Sequence, residues 1–161
     1  MPPAIIVLVV LAAGLGACGG GSGSSACAPV RFETLDRRSL IHVLPGAAPA
    51  IYLSNPPTSG PHQPSPRIRG WVQHTIGPAV QVGILEGGTV LLQYRGLSPS
   101  AARALGALAG SDVVVAPNPT LPRGDTVVAT AWLTKQECRS ADIATLRRFV
   151  TQHRGKGPGT P

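Results

Sequence analysis

The residue types able to do chemistry are few: four histidines, three cysteines and Glu86, which follows an apolar run. Composition alone does not generate the segment Tyr52-Leu53-Ser54-Asn55-Pro56-Pro57-Thr58-Ser59-Gly60-Pro61-His62. Pro56-Pro57 favours an extended polyproline stretch. Thr58-Ser59-Gly60 offers turn hydroxyls and a residue free to take positive φ. Pro61 then stiffens the approach to His62. The expectation is a rigid ligand loop, Asn55 through His62, that presents one imidazole. A hydrolase would use Ser59 as nucleophile, His62 as base and Glu86 as the orienting acid. Ser59 and His62 stand three residues apart in a turn, which is poor geometry for that pair. No strand–turn–helix elbow surrounds the serine either. No catalytic residue is therefore assigned, and a binding role is favoured over an enzymatic one. His74 lies in an irregular stretch and His153 near a helix end, so neither is a site candidate.

The cysteines carry a second message. An apolar run from Ala4 ends in Leu15-Gly16-Ala17-Cys18, and Gly19-Gly20-Gly21-Ser22-Gly23-Ser24-Ser25 follows. A small-residue cleavage site directly before a cysteine reads as a bacterial lipoprotein signal peptide. Residues 1–17 would be removed and Cys18 acylated. The run is shorter than the ~20 apolar residues that cross a bilayer. Residues 18–26 then form a Gly/Ser tether. The expected location is the cell membrane, lipid-anchored, on the extracytoplasmic side. There the compartment is oxidising, and the remaining pair, Cys27 and Cys138, is expected to form a disulfide.

The rest of the composition sets limits. The chain has 161 residues, is 43% hydrophobic and only 4% aromatic, so Ala, Val and Leu must fill the core. A formal charge of +7 favours anionic headgroups or cell-wall polymers as partners. Few aromatics and no nucleic-acid motif argue against nucleic acid.

These residues must be positioned by one domain, expected over residues 27–154, with 155–161 a disordered tail. Leu40 to Leu44 reads as a strand, and Ile51-Tyr52-Leu53 as a second. A proline-rich loop runs from Asn55 to about Gly70. Val80 to Val82 and Thr89 to Tyr94 read as a strand pair or one interrupted strand. Ser98-Pro99 opens a helix to Gly110. Asp112 to Ala116 is a strand, and Thr126 to Lys135 another, with Trp132 in the core. Ser140 caps a last helix whose Ile143, Leu146, Phe149 and Val150 share one face. The fold class is α+β: a mostly antiparallel sheet with helices on one face and a split-βαβ arrangement.

The block Asn55 to His62 resembles the exported bacterial family grouped as domain of unknown function 3105, whose pattern also has an upstream histidine, a Pro/Gly turn and a tyrosine. Here these are His42, Pro45-Gly46 and Tyr52. The family's downstream H-x-L-E-H-G-G block corresponds to Gly83-Ile84-Leu85-Glu86-Gly87-Gly88, with both histidines replaced by Gly83 and Gly87. The resemblance spans roughly residues 38 to 155. It implies no cofactor outright. A metal site, if the family's histidines form one, would retain His42, His62 and Glu86 here, and the ion would be a divalent transition metal.

Overall fold

The computed structural model describes Met1 and residues 25–160. The expected signal peptide and Cys18 lie outside the described residues. Residues 25–160 hold every described strand, both apolar cores and the disulfide.

Six strands form one mixed sheet: β1 (Arg31–Phe32), β2 (Gly70–Trp71), β3 (Val90–Tyr94), β4 (Val113–Pro117), β5 (Val127–Ala131) and β6 (Thr134–Cys138). Their order is β1-β6-β5-β3-β4-β2. β4 pairs in parallel with β2 and β3, and the other three pairings are antiparallel. Three helices complete the α+β fold: α1 (Pro78–Glu86), α2 (Pro99–Gly106) and α3 (Ile143–His153).

The helices do not share one face, contrary to expectation. Leu105 of α2 and Leu146, Phe149 and Val150 of α3 pack with Val90, Leu92, Val113 and Val115. Ile84 and Leu85 of α1 pack on the alternate strand residues Leu91, Val114 and Ala116, which face the other way. Crossover handedness explains the difference. From β2 through α1 to β3 the chain steps over β4, which is a split βαβ unit. From β3 through α2 to β4 it steps back. Two crossovers of the same hand running in opposite directions must place their helices on opposite faces.

Several expected strands are something else. Residues 37–40 form a short 3-10 turn, Arg37–Leu40, and only His42 makes a bridge, to His62. Ile51-Tyr52-Leu53 pairs with nothing in the sheet. Val80 to Val82 belongs to α1, which Pro78 opens at its first turn. The single strand expected over Thr126 to Lys135 is a hairpin, β5 and β6, turning at Trp132-Leu133, with Leu133 at φ 53°. Half-buried Trp132 packs against the α1-side core. Ser98 caps α2 as expected, whereas α3 is capped by Asp142, whose side chain accepts from the Thr145 N–H, rather than by Ser140.

Cys27 and Cys138 are bonded, 111 residues apart in sequence. Closing so long a loop contributes ~4–5 kcal/mol on a chain-entropy account. The bridge ties the chain's entry into the domain to the end of β6, and the Ala28 N–H to Glu137 C=O bond (2.8 Å) reinforces it.

Beneath the proline loop the α1 face of the sheet turns polar. Gln93 donates to Gln81 Oε1 (3.2 Å) and accepts from Asn118 Nδ2 (2.6 Å), all buried. Lys135, on the same face, is fully buried and its Nζ has no hydrogen-bond partner among the described residues. The nearest carboxylate oxygen is Glu33 Oε2, at 3.6 Å. Burial depresses the lysine pKa, and the charge of Glu33 opposes that.

An ammonium in this position depends on its carboxylate partner. Glu33→Gln is expected to destabilise the domain by about 3 kcal/mol, because a buried charge is left uncompensated. Lys135→Met should be neutral or stabilising. Urea denaturation of both variants checks the order; a harmless Glu33→Gln would refute it.

Candidate metal centre

Helix α1 delivers Glu86 at its last turn. Gly83 lets the helix lie close against the loop, where Gln63 N–H donates to the Ala79 carbonyl (3.1 Å). The segment 155–160, expected to be disordered, runs across the Glu86 end of the helix. Gly155 N–H donates to Gly88 C=O (2.7 Å) and Gly159 N–H to Glu86 C=O (3.1 Å). These bonds satisfy carbonyls that a helix terminus leaves open.

His62 comes from the proline loop, which is pinned from several sides. Asp36 N–H donates to Ser59 Oγ (2.9 Å), Gly60 N–H to Ser39 Oγ (2.9 Å), and Tyr52 Oη–H to the Pro61 carbonyl (2.8 Å). Asp36 accepts in turn from Arg38, whose guanidinium holds that carboxyl below its ordinary range. Gly60 takes φ 124°, with the Tyr52 ring 3.0 Å from where a Cβ would sit. No larger residue fits both conditions. The expected polyproline stretch contains a cis Asn55–Pro56 bond, and Asn55 Nδ2 donates to the Thr120 carbonyl (3.0 Å).

His42 joins through a parallel bridge. Val43 N–H donates to the His62 carbonyl (2.8 Å) and His62 N–H to that of Ile41 (3.1 Å). Residues paired this way project to the same side. The two imidazoles lie edge to face, centroids 5.0 Å apart. One ligand atom from each of His42, His62 and Glu86 lies within 4.8 Å of the others.

The ring nitrogens of His62 have unequal partners. Nδ1 is 2.9 Å from the Gly60 carbonyl oxygen and Nε2 is 2.9 Å from Glu86 Oε2. A carbonyl only accepts, so Nδ1 carries the hydrogen. In a neutral ring Nε2 is then a lone pair aimed at a carboxylate oxygen. Two facing acceptors repel unless a cation lies between them, either a proton or a metal ion. An Nδ1–H committed to a backbone carbonyl is the arrangement that orients a histidine for ligation through Nε2. Ligands about 2.0–2.1 Å from an ion and 2.9 Å apart subtend roughly a right angle. Two imidazoles and one carboxylate, with remaining positions open, suit a divalent transition metal. His62 is fully buried, the Glu86 side chain is 28% exposed and His42 is exposed, so the open side lies toward His42.

Other sequence expectations resolve differently. Pro56 through His62 are buried, so the loop does not present its imidazole to solvent; it turns it inward onto α1. Ser59 Oγ is taken by Asp36 N–H and the Thr34 carbonyl (3.5 Å), which leaves no nucleophile facing His62. Gly83 cannot stand in for a ligand. A Cβ there would run into the Gln63 carbonyl and Pro66, whereas Gly87 is exposed and unobstructed. His74 is exposed, and His153 sits 4.5 Å from Phe149, its pKa lowered by burial. The Gly60 carbonyl and the Asp36 clamp escaped sequence reading. A backbone acceptor leaves no residue-type signal, although an Asp, Arg and Ser between positions 36 and 39 is a typical local cap.

Fold and site together define an α+β domain with a two-histidine, one-carboxylate cluster at a loop–helix junction. Residues 46–161 match the family model described as Protein of unknown function (DUF3105), and the chain belongs to that family. His62 and Glu86 fall within the match, and His42 precedes it. No curated protein and no solved structure matches the chain.

Because the carboxyl of Asp36 is held below its ordinary value of 3.8, its contribution is complete above that pH. The contribution is lost as pH falls through the lower folded value. Asp36→Asn should lower the melting midpoint at pH 7 by roughly 3–6 °C. The gap to the parent should close on acidification below pH 3.8. Thermal melts across pH read both effects; a gap that persists in acid would count against the clamp.

Proposed function

We propose that this protein is an exported, lipid-anchored lipoprotein whose domain binds a divalent transition metal through His42, His62 and Glu86. The observation that carries the metal reading is His62 Nε2 facing Glu86 Oε2 at 2.9 Å while Nδ1 faces the Gly60 carbonyl oxygen at 2.9 Å. His42, exposed beside them, adds a third donor, and the remaining coordination positions are free for water or a small ligand. Ser59, the side chain weighed as a nucleophile, is engaged by Asp36 N–H and the Thr34 carbonyl, which favours a binding role. The support for export is the run ending Leu15-Gly16-Ala17-Cys18 with its Gly/Ser continuation. The Cys27–Cys138 disulfide agrees with an oxidising compartment.

A second reading rests on the same distance. With a second proton on His62, the 2.9 Å pair is an imidazolium–carboxylate strut that fastens the loop to α1. The protein is then a metal-free binding or envelope-associated module.

Titration calorimetry of residues 25–160 with Zn²⁺ and Co²⁺ separates the two. One ion per chain is expected, with His62→Ala and Glu86→Gln abolishing binding and circular dichroism confirming that both variants fold. Binding that is absent, or unchanged by these variants, selects the strut. The anchor has its own check. Cys18→Ser in the full chain should abolish incorporation of labelled fatty acid in expressing cells; unchanged labelling would refute acylation at Cys18.

A further inference from the structure

Apart from Met1, every large hydrophobic residue exposed among the described residues falls between positions 32 and 53. Leu40 is 92% exposed, Ile51 84%, Leu44 79% and Leu53 63%. The two stretches that carry them adjoin, because Arg38 Nη2 donates to the Ile51 carbonyl (2.6 Å). The same segment lines an apolar cleft of about 200 Å³ with Val43, Leu44, Pro49 and Tyr52 on one side and Pro78 and Val80 on the other. A contiguous exposed apolar surface marks an interaction site.

Charge and composition identify the partner. No Asp or Glu occurs between Asp36 and Glu86, while Arg37, Arg38, Arg67 and Arg69 do. All four arginines are exposed, and Arg38 is paired with Asp36 (2.6 Å), which leaves Arg37, Arg67 and Arg69 as the cations among them not paired with a described carboxylate. Protein-binding hot spots favour Trp, Tyr and Arg in closed pockets. Across residues 40–53 the protruding groups are leucines and isoleucines, with Arg37 beside them and the adjacent carboxylate of Asp36 buried and paired with Arg38. That combination suits the headgroup–acyl boundary of an anionic bilayer, where aliphatic tips insert and arginines meet phosphate.

We infer that residues 40–53, with Arg37, form a membrane-docking face that lays the domain on an anionic lipid surface. The inference does not depend on metal, nor on acylation, since residues 25–160 lack Cys18. In this orientation the exposed ligand His42 lies at the membrane-facing rim of the site.

The test is co-sedimentation of residues 25–160 with phosphatidylcholine vesicles, with and without phosphatidylglycerol. Binding to the anionic vesicles is expected, and it should weaken as salt is raised. The double variant Leu44→Ser/Ile51→Ser changes only exposed positions, so folding should survive, as circular dichroism can confirm. It should partition at least about tenfold more weakly. Arg37→Glu should weaken binding to anionic vesicles alone. Parent protein that stays in the supernatant, or a double variant that binds like the parent, overturns the inference. So does a concentration-dependent dimer that the double variant returns to monomer, because the face would then be a protein interface.

Discussion

One buried imidazole constrains this molecule more than any other group. His62 has no exposed surface, and its two nitrogens face a backbone carbonyl and a carboxylate. A buried polar ring is tolerable only if both nitrogens are satisfied. The loop must therefore hold the Gly60 carbonyl in place, and α1 must hold Glu86. The positive φ of Gly60 and the Tyr52 ring packed beside it secure the first. The C-terminal segment crossing Glu86 and Gly88 secures the second. Segments far apart in sequence thus converge on one ring, and each would lose its purpose without it.

The sheet supplies the rigid frame for this convergence. β3 and β4 lie side by side near its centre, fully paired, and both crossover helices pack on them. Because the two crossovers run in opposite directions, α1 has a face of the sheet to itself. The proline loop then covers the part of that face that α1 leaves open. There the sheet offers Gln93, Thr130 and Lys135 instead of aliphatic side chains. A loop carries polar backbone groups that must be satisfied, so a polar bed suits it better than an apolar one. The Leu133 N–H to Thr58 C=O bond (3.3 Å) is one such contact.

Sequence reading recovered the parts in which local and global preference agree. The Val-rich strands β3 and β4, the amphipathic α3 and the Ser98-Pro99 start of α2 all declare themselves locally. The cysteine pair followed from compartment and count. Helix α1 did not declare itself, since Pro-Ala-Val-Gln-Val-Gly-Ile-Leu-Glu has no polar stripe. The helix is buried on most sides, and its valines favour a strand on propensity. Leu40 to Leu44 misled for the opposite reason. Its β-branched pattern meets only one bridge, so propensity found no sheet to join. For the site, the resemblance supplied His42, His62 and Glu86, while their convergence depends on a loop and a helix end that no local pattern links.

His42 connects the buried site to the outer surface. It sits between Ile41 and Val43, in the stretch whose neighbours expose the most apolar area, and among the described residues its backbone is tied to the rest through the bridge to His62. His42 is thus carried by an exposed part of the chain, His62 by a buried loop and Glu86 by the half-buried end of α1. Movement of residues 42–50 would displace His42 and leave the His62–Glu86 pair in place, because Tyr52, Gly60 and the C-terminal segment still hold that pair. In the metal site proposed above, such a division would separate retention of an ion, set by the inner pair, from access to it, set by the exposed segment.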